Sequence, residues 1–404
     1  MPPKIDKIET LRLEEFPNIL WVRIHTNDGR VGLGETFFGA AAAEAYIIET
    51  AAPLLLGEDP RRIEFLRKKL RPYVGFQAAG AEMRGNSAID IALWDLWGRS
   101  TNQPLYQLLG GRSRDWVRTY NTCAGYRYVR SHRTGQNTAN WGLGTTTGPY
   151  EDLDAFLNRA DELAHDLLES GIDAMKIWPF DPYAEASDGL SIAPADLRKG
   201  LEPFEKIRRA VGDRMQIMLE CHSLWSLPAA ITLARAVEPL DIYWIEDPIQ
   251  MNGLASLADF KRQTTLKVTA SETIASRQGF RDLMTAGAVD IVMLDISWVG
   301  GLSEAKAIAG MAEAFHLPVA PHDCTGPVVY TASTHLSVSA PNALVQESVR
   351  AFYTGWYTEL VTGLPEFDRG RVRPPDGPGL GIELLPGLES RPDAIRRQLS
   401  TTDL

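Results

Sequence analysis

Three glutamates recur at one interval. Glu220, Glu246 and Glu272 stand 26 residues apart, and each closes a short apolar run, Gln216 to Glu220, Ile242 to Glu246 and Lys267 to Glu272. Taken singly, each is an ordinary solvated or salt-bridged residue. Three in register need a physical reason, because carboxylates repel one another unless a cation joins them. All-oxygen ligation fits Mg²⁺ best, with Mn²⁺ able to substitute.

The next two intervals carry proton chemistry. Asp295 ends the run Asp290 to Asp295, and His322 follows Leu317 to Pro321. A carboxylate beside an imidazole fixes the ring tautomer and raises its basicity. Two more basic groups are Lys176, at the end of Asp173 to Ile177, and His222, two residues beyond the first glutamate. In an extended segment residues i and i+2 share a face, so a persisting strand would turn His222 inward with Glu220. Basic groups on opposite sides of a metal suit a reaction in which one removes a proton and another delivers one.

A strand, a turn, a helix and a second turn fill about the observed interval, so the glutamates mark consecutive βα units. Candidate strands run over 116–121, 173–177, 215–220, 242–246, 267–272, 290–295, 317–321 and 343–347, with helical patterns such as 203–210, 229–237 and 303–315 between them. The fold class is α/β, a TIM-type (β/α) barrel of seven or eight units. Ahead of it, residues 4–35 alternate as a small antiparallel meander with a turn at Asn27-Asp28-Gly29. Helical patterns follow over 41–55, 59–70 and 87–99. The expected division is an α+β capping domain over 1–115, a catalytic barrel over 116–370, and a segment over 371–404 that packs back on the cap. Residues 125–150 and 178–200 break the rhythm as long polar connections on the face where barrel enzymes hold their sites, and are expected to form a lid or a specificity element.

The composition fits this picture. The chain has 404 residues, 44% hydrophobic and 23% charged, enough for one large core and a smaller one. A net charge of -11 excludes a general nucleic-acid binder, which needs a cationic surface. Neither a secretory leader nor a bilayer-spanning stretch is visible, so no membrane association and a cytoplasmic location are expected. Three cysteines, Cys123, Cys221 and Cys324, are too few for a disulfide framework.

The ordered series Lys176-Ile177-Trp178, Glu220-Cys221-His222, Trp244 to Pro248, Ser271-Glu272, Asp295 with Gly300-Gly301, His322 and Gln346-Glu347 resembles the enolase superfamily, mandelate racemase subgroup. The resemblance covers nearly the whole chain. It implies that Glu220, Glu246 and Glu272 bind Mg²⁺, that His322 and Asp295 form an acid/base dyad, and that Glu347 hydrogen bonds the substrate or intermediate. Racemase-like members carry Lys-x-Lys on the second strand, whereas Trp178 takes the place of the second lysine here. A histidine two residues past the first ligand, and the segment Pro321 to Pro327, are instead similar to galactonate dehydratases. Glu220 is also longer than the aspartate usual at its position.

The expected activity is therefore dehydration of a sugar acid, an aldonate or aldarate, to a 2-keto-3-deoxy acid through an enediolate. His222 is the proposed base and His322 the acid, with the roles open to exchange; Lys176 adds a second positive charge. The rivals are an epimerase or racemase, a cycloisomerase of a lactone, and a non-catalytic protein that binds metal and sugar acid. Expected partners are a small sugar acid and further copies of the chain as a homo-oligomer. Substrate contacts are expected from Arg84, Arg127, Trp178 and Trp298, with Arg130, His132, Trp141, Trp225 and Trp356 as further candidates.

Overall fold

The computed structural model describes residues 2–71, 79–130, 137–144 and 148–404. Three antiparallel strands open the chain, β1 (Ile5–Leu13), β2 (Ile19–Thr26) and β3 (Val31–Phe37). The segment Ala394–Ser400 adds a fourth by pairing antiparallel with β1, so residues from the far end of the sequence complete the cap as expected. The helix Ala81–Thr101 packs across this sheet. Gly32 and Gly34 permit the approach, since a Cβ on either would sit about 2 Å from a carbonyl oxygen of that helix.

Eight parallel strands follow: β4 (Val117–Thr122), β5 (Ala174–Ile177), β6 (Gln216–Glu220), β7 (Trp244–Glu246), β8 (Val268–Ala270), β9 (Ile291–Leu294), β10 (Val319–Pro321) and β11 (Gln346–Ser348). Neighbours pair in sequence order from β4 to β10. β11 returns to β4, and a parallel bridge between Val319 and Ala343 ties β10 to the segment entering β11. The circuit of pairings is compatible with the expected barrel. Its interior holds Tyr120, Ala174, Met218, Trp244, Ile291, Met293, Ala320 and Val345, one apolar plug contributed by alternate residues of the strands. The hairpin Glu366–Asp368 with Arg371–Arg373 also joins this sheet, against β4.

Several sequence expectations are corrected. β6 stops at Glu220, and His222 and Ser223 turn through left-handed conformations, with φ 47° and 60°. His222 therefore does not share a strand face with Glu220. β8 likewise ends at Ala270, leaving Glu272 on the following turn. Residues 178–200 are not a structureless connection. They hold a helix over Asp181–Ser187 and the start of another over Pro194–Val211, each opened by a proline near its first position, where no amide hydrogen is needed. The second helix runs through Pro203, which the pattern took as its start.

Buried side chains dock the cap on the barrel. Glu35 accepts hydrogen bonds from the amides of Val328 and Val329 at 3.1 and 2.9 Å and from Trp21 Nε1 at 2.7 Å. It thereby caps the helix Pro327–Ser339 that follows the His322 segment. Asp90 accepts from the amide and hydroxyl of Ser303, and a Cβ at Gly301 would lie 2.4 Å from Asp90, so only glycine fits there. None of the helices among the described residues is long and apolar enough to cross a membrane.

Candidate active site

The site stands on the carboxyl ends of the parallel strands. Glu220 and Glu246 are register partners across β6 and β7, which places their carboxylates side by side. Glu220 Oε1 accepts from the amides of Cys221 and His222 at 2.9 and 2.6 Å, so its side chain closes the turn that ends the strand. Glu246 is fixed from below by Trp244 Nε1, 2.9 Å from Oε2. Glu272 is 7% exposed, and its Oε2 is buried with no hydrogen-bond partner among the described residues.

Lys176 enters from β5 and reaches three carboxylates, Glu246 at 2.5 Å, Glu347 at 3.0 Å and Glu220 at 3.2 Å. Burial opposes its charge, but Glu246 and Glu347 outweigh burial and hold the ammonium well above the usual lysine range. Glu347, from β11, also accepts from Thr122 Oγ1 and, at 2.8 Å, from the Asp323 amide. Burial would raise its carboxyl, yet Lys176 and His322 bring it below the ordinary value. Glu246 moves the other way, pushed well up by burial and by the charge of Glu220.

The two histidines stand just beyond the ends of β6 and β10, the third and seventh of the eight parallel strands and thus on opposite sides of the circuit. His322 Nδ1 lies 2.7 Å from Asp295 Oδ2, and Asp295 Oδ1 is held by Ser297 N and Oγ at 2.7 and 2.6 Å. His222 Nδ1 lies 2.7 Å from Asp181 Oδ2. The sequence reading missed Asp181. Its one available signal was the Asp181-Pro182 pair, a helix-start signature at a strand end. Burial disfavours the charged form of both rings. The Asp181 and Glu220 charges outweigh it for His222, and Glu347, the Asp295 bond and Glu272 do so for His322, bringing each to about 9. With each Nδ1 bound to a carboxylate, each Nε2 is left for chemistry.

An indole packs on each ring. Trp178 meets His222 edge to face at 5.7 Å, and Trp298 lies against His322 at 5.3 Å. Arg84 comes from the cap, its guanidinium 4.5 Å above the Trp298 ring and bonded to the carbonyls of Ala79 and Phe37. Trp178, Trp298 and Arg84 thus gather at the histidines. Arg127 does not join them, being exposed on the loop after β4 with Gly142 against its backbone. Arg130 stacks over Phe16 and pairs with Glu15, and Trp356 packs among Phe16, Phe352 and Tyr357, both in structural settings. Trp141 and Trp225 are buried, while His132 lies outside the described residues.

The sequence matches the family described as Mandelate racemase / muconate lactonizing enzyme, N-terminal domain, over residues 15–110. Residues 159–387 match Enolase C-terminal domain-like. The chain belongs to the enolase superfamily, mandelate racemase subgroup. An enolase of that subgroup from Agrobacterium tumefaciens is 52% identical and superposes with a TM-score of 0.88, over 99% of this chain and 100% of its own. An enolase protein from Sargasso Sea environmental sequencing is 41% identical with a TM-score of 0.88, each chain covered to 99%. Among curated relatives, a D-galactonate dehydratase of Ralstonia nicotianae is 31% identical over 99% of this chain and 96% of its own. A D-xylonate dehydratase of Haloferax volcanii is 29% identical over 94% and 87% respectively.

The superfamily is generally Mg²⁺-dependent, and the donor set of this chain fits such an ion. Three carboxylates stand at or just beyond consecutive strand ends, and Glu272 Oε2 is orphaned in the interior. Glu220 and Glu246 are turned to Lys176 instead, and among the described residues no three acidic, histidine or cysteine side chains already surround one point.

Proposed function

We propose that this protein is a Mg²⁺-dependent sugar-acid dehydratase that converts an aldonate or aldarate to a 2-keto-3-deoxy acid. The observation that carries the proposal is the pair of imidazoles on opposite sides of the strand circuit, each with Nδ1 on a carboxylate, flanking the glutamate series. Relatives named as D-galactonate, D-xylonate, D-gluconate and arabinonate dehydratases support the same reaction class. In this reading Glu220, Glu246 and Glu272 hold the ion, residues 116–370 carry the chemistry, and the cap over 1–115, closed by the 371–404 segment, shapes the pocket. The ion supplies positive charge where the substrate carboxylate gains electron density.

His222 Nε2 takes the proton α to the carboxylate. Lys176, fixed by three carboxylates, offers a preorganised positive charge to the developing enediolate. His322, charged through Glu347 and Asp295, delivers a proton to the departing 3-hydroxyl from the opposite side. Glu347 keeps Oε1 toward Lys176 and orients the intermediate. A base must be neutral to act, and Glu220 is one of the groups that keep His222 charged, so neutralising that carboxylate brings the ring toward a working base.

Incubation with a panel of aldonic and aldaric acids in D₂O with Mg²⁺ tests this. A semicarbazide-reactive keto acid from at least one member is the expected product. Deuterium at an inverted C2 with no keto acid identifies an epimerase and overturns dehydration; a rearranged lactone does the same in favour of a cycloisomerase. No turnover of any member leaves only a binding protein.

A further inference from the structure

We propose that Asp181 is the positioning residue of a second dyad: it holds His222 as the Nδ1–H tautomer and aims Nε2 at the reacting carbon. The proposal rests on the reading of His222 as an acid/base.

The local sequence explains why such a residue is needed. Where racemase-like chains place a lysine base on the second strand, this chain has Trp178, and its side chain packs against His222. A lysine base carries a flexible, strongly basic amine. An imidazole has two unlike nitrogens, and left alone it divides between two tautomers. It works as a base at Nε2 only if Nδ1 keeps the hydrogen, and Asp181 Oδ2, 2.7 Å from Nδ1, supplies that acceptor.

The ring is otherwise well confined. Glu220 Oε1 fixes the His222 amide at 2.6 Å, the backbone is in the left-handed region, and Trp178 blocks one edge. Asp181 itself is 5% exposed, at the first turn of the helix Asp181–Ser187 with Pro182 next to it. One oxygen binds His222, while Oδ1 is buried with no partner among the described residues. A carboxylate kept buried with half its acceptors unused costs stability, and the His222 contact is its one side-chain bond among the described residues. Asp181 thus mirrors Asp295 with one difference: Asp295 Oδ1 is tied to Ser297, whereas Asp181 Oδ1 has no partner among the described residues.

The difference makes the test specific. In Asp181→Ala the bond to Nδ1 disappears. With a turned-over sugar acid, kcat should fall by roughly 10²-fold or more with KM changed only a few-fold. In the ring ¹H–¹⁵N correlation spectrum of histidine-labelled full-length protein, recorded near pH 10 where the parent ring, held to about 9, is mostly neutral, His222 should lose its single Nδ1–H signature. Asp181→Asn should restore both in part, since its amide oxygen is free to face Nδ1. Should Asp181→Ala not fold by circular dichroism, Asp181→Ser, too short to reach the ring, carries the same expectation. A folded Ala or Ser variant with kcat within about three-fold of the parent, or an unchanged His222 tautomer, overturns the proposal. The spectrum needs no substrate, so the tautomer at His222 is settled even if no sugar acid is dehydrated.

Discussion

Replacing Asp295 by asparagine should almost abolish turnover while leaving the fold intact, and the reason is local geometry. Asp295 Oδ1 accepts two hydrogen bonds, from Ser297 N at 2.7 Å and Ser297 Oγ at 2.6 Å, and it caps the short helix Ile296–Val299. An amide nitrogen cannot replace an acceptor there, so the new carbonyl oxygen must take that place. The NH₂ group is then forced toward His322, 2.7 Å from Nδ1. Nδ1 must accept and Nε2 must carry the hydrogen, which removes the lone pair from Nε2, the nitrogen proposed to act. Protonating the ring would set N–H against N–H, so the acid role fails as well. An Asp-to-Asn change that inverts a catalytic histidine tautomer lowers kcat by about 10⁴-fold in the serine-protease triad, and a loss of about 10³- to 10⁴-fold is expected here. Stability should change by less than about 1 kcal/mol because Ser297 stays satisfied. The assay is kcat for keto-acid formation in saturating Mg²⁺, with a urea titration for stability. The same change at Asp181, whose Oδ1 has no donor to hold it among the described residues, should be at least about ten-fold milder in kcat, since it can rotate. Activity of Asp295→Asn within ten-fold of the parent would falsify the tautomer argument.

Three further expectations follow from buried charge. His335 accepts from the Tyr106 amide at Nδ1 and donates to the Leu380 carbonyl from Nε2, and burial lowers its pKa from 6.5 to about 4. The unfolded chain takes up the proton first, so this stabilisation is complete above pH 6.5 and about 3 kcal/mol of it is lost as the pH falls to 4. Urea curves of the parent and His335→Gln should converge over that range; parallel curves refute the linkage. Lys176→Met removes the cation shared by Glu220, Glu246 and Glu347 and should destabilise the metal-free protein by about 3 kcal/mol. Added Mg²⁺ should then raise the melting temperature of the variant more than that of the parent, and equal shifts would sink the idea. Glu35→Gln sets an N–H donor against the Trp21 indole N–H or against the Val328 and Val329 amides, and should cost about 1–3 kcal/mol in urea titration; a change below about 0.5 kcal/mol would contradict the capping role.

The glutamate interval was legible because a βα unit has a nearly fixed length, so one periodicity reports both strand order and a row of strand-end side chains. Asp295 and His322 were legible for the same reason, and they meet at 2.7 Å. Asp181 was not, because its partnership spans 41 residues and depends on a turn. Extending β6 through His222 failed on backbone grounds: two successive left-handed residues end a strand whatever the polarity pattern says. The helices inside 178–200 escaped notice because the segment was read by its polarity alone, and the prolines at their first turns went unused. Side-chain reach at the pocket, as for Arg84 over Trp298 and the exposed Arg127, has no one-dimensional signature.

The pairing of residues 7–13 with residues 394–400 makes the assembly of the cap a late event. During synthesis β1 leaves the ribosome before the barrel, yet its outer edge stays open until residue 400 has been made. An unpaired edge on a finished meander is a surface on which two nascent chains can join by exchanging strands. A chain cut before residue 394 should keep the strand-end groups of the barrel while leaving that edge bare, and should be prone to associate through it. The sheet of the cap thus closes only after the barrel between its two halves has been translated.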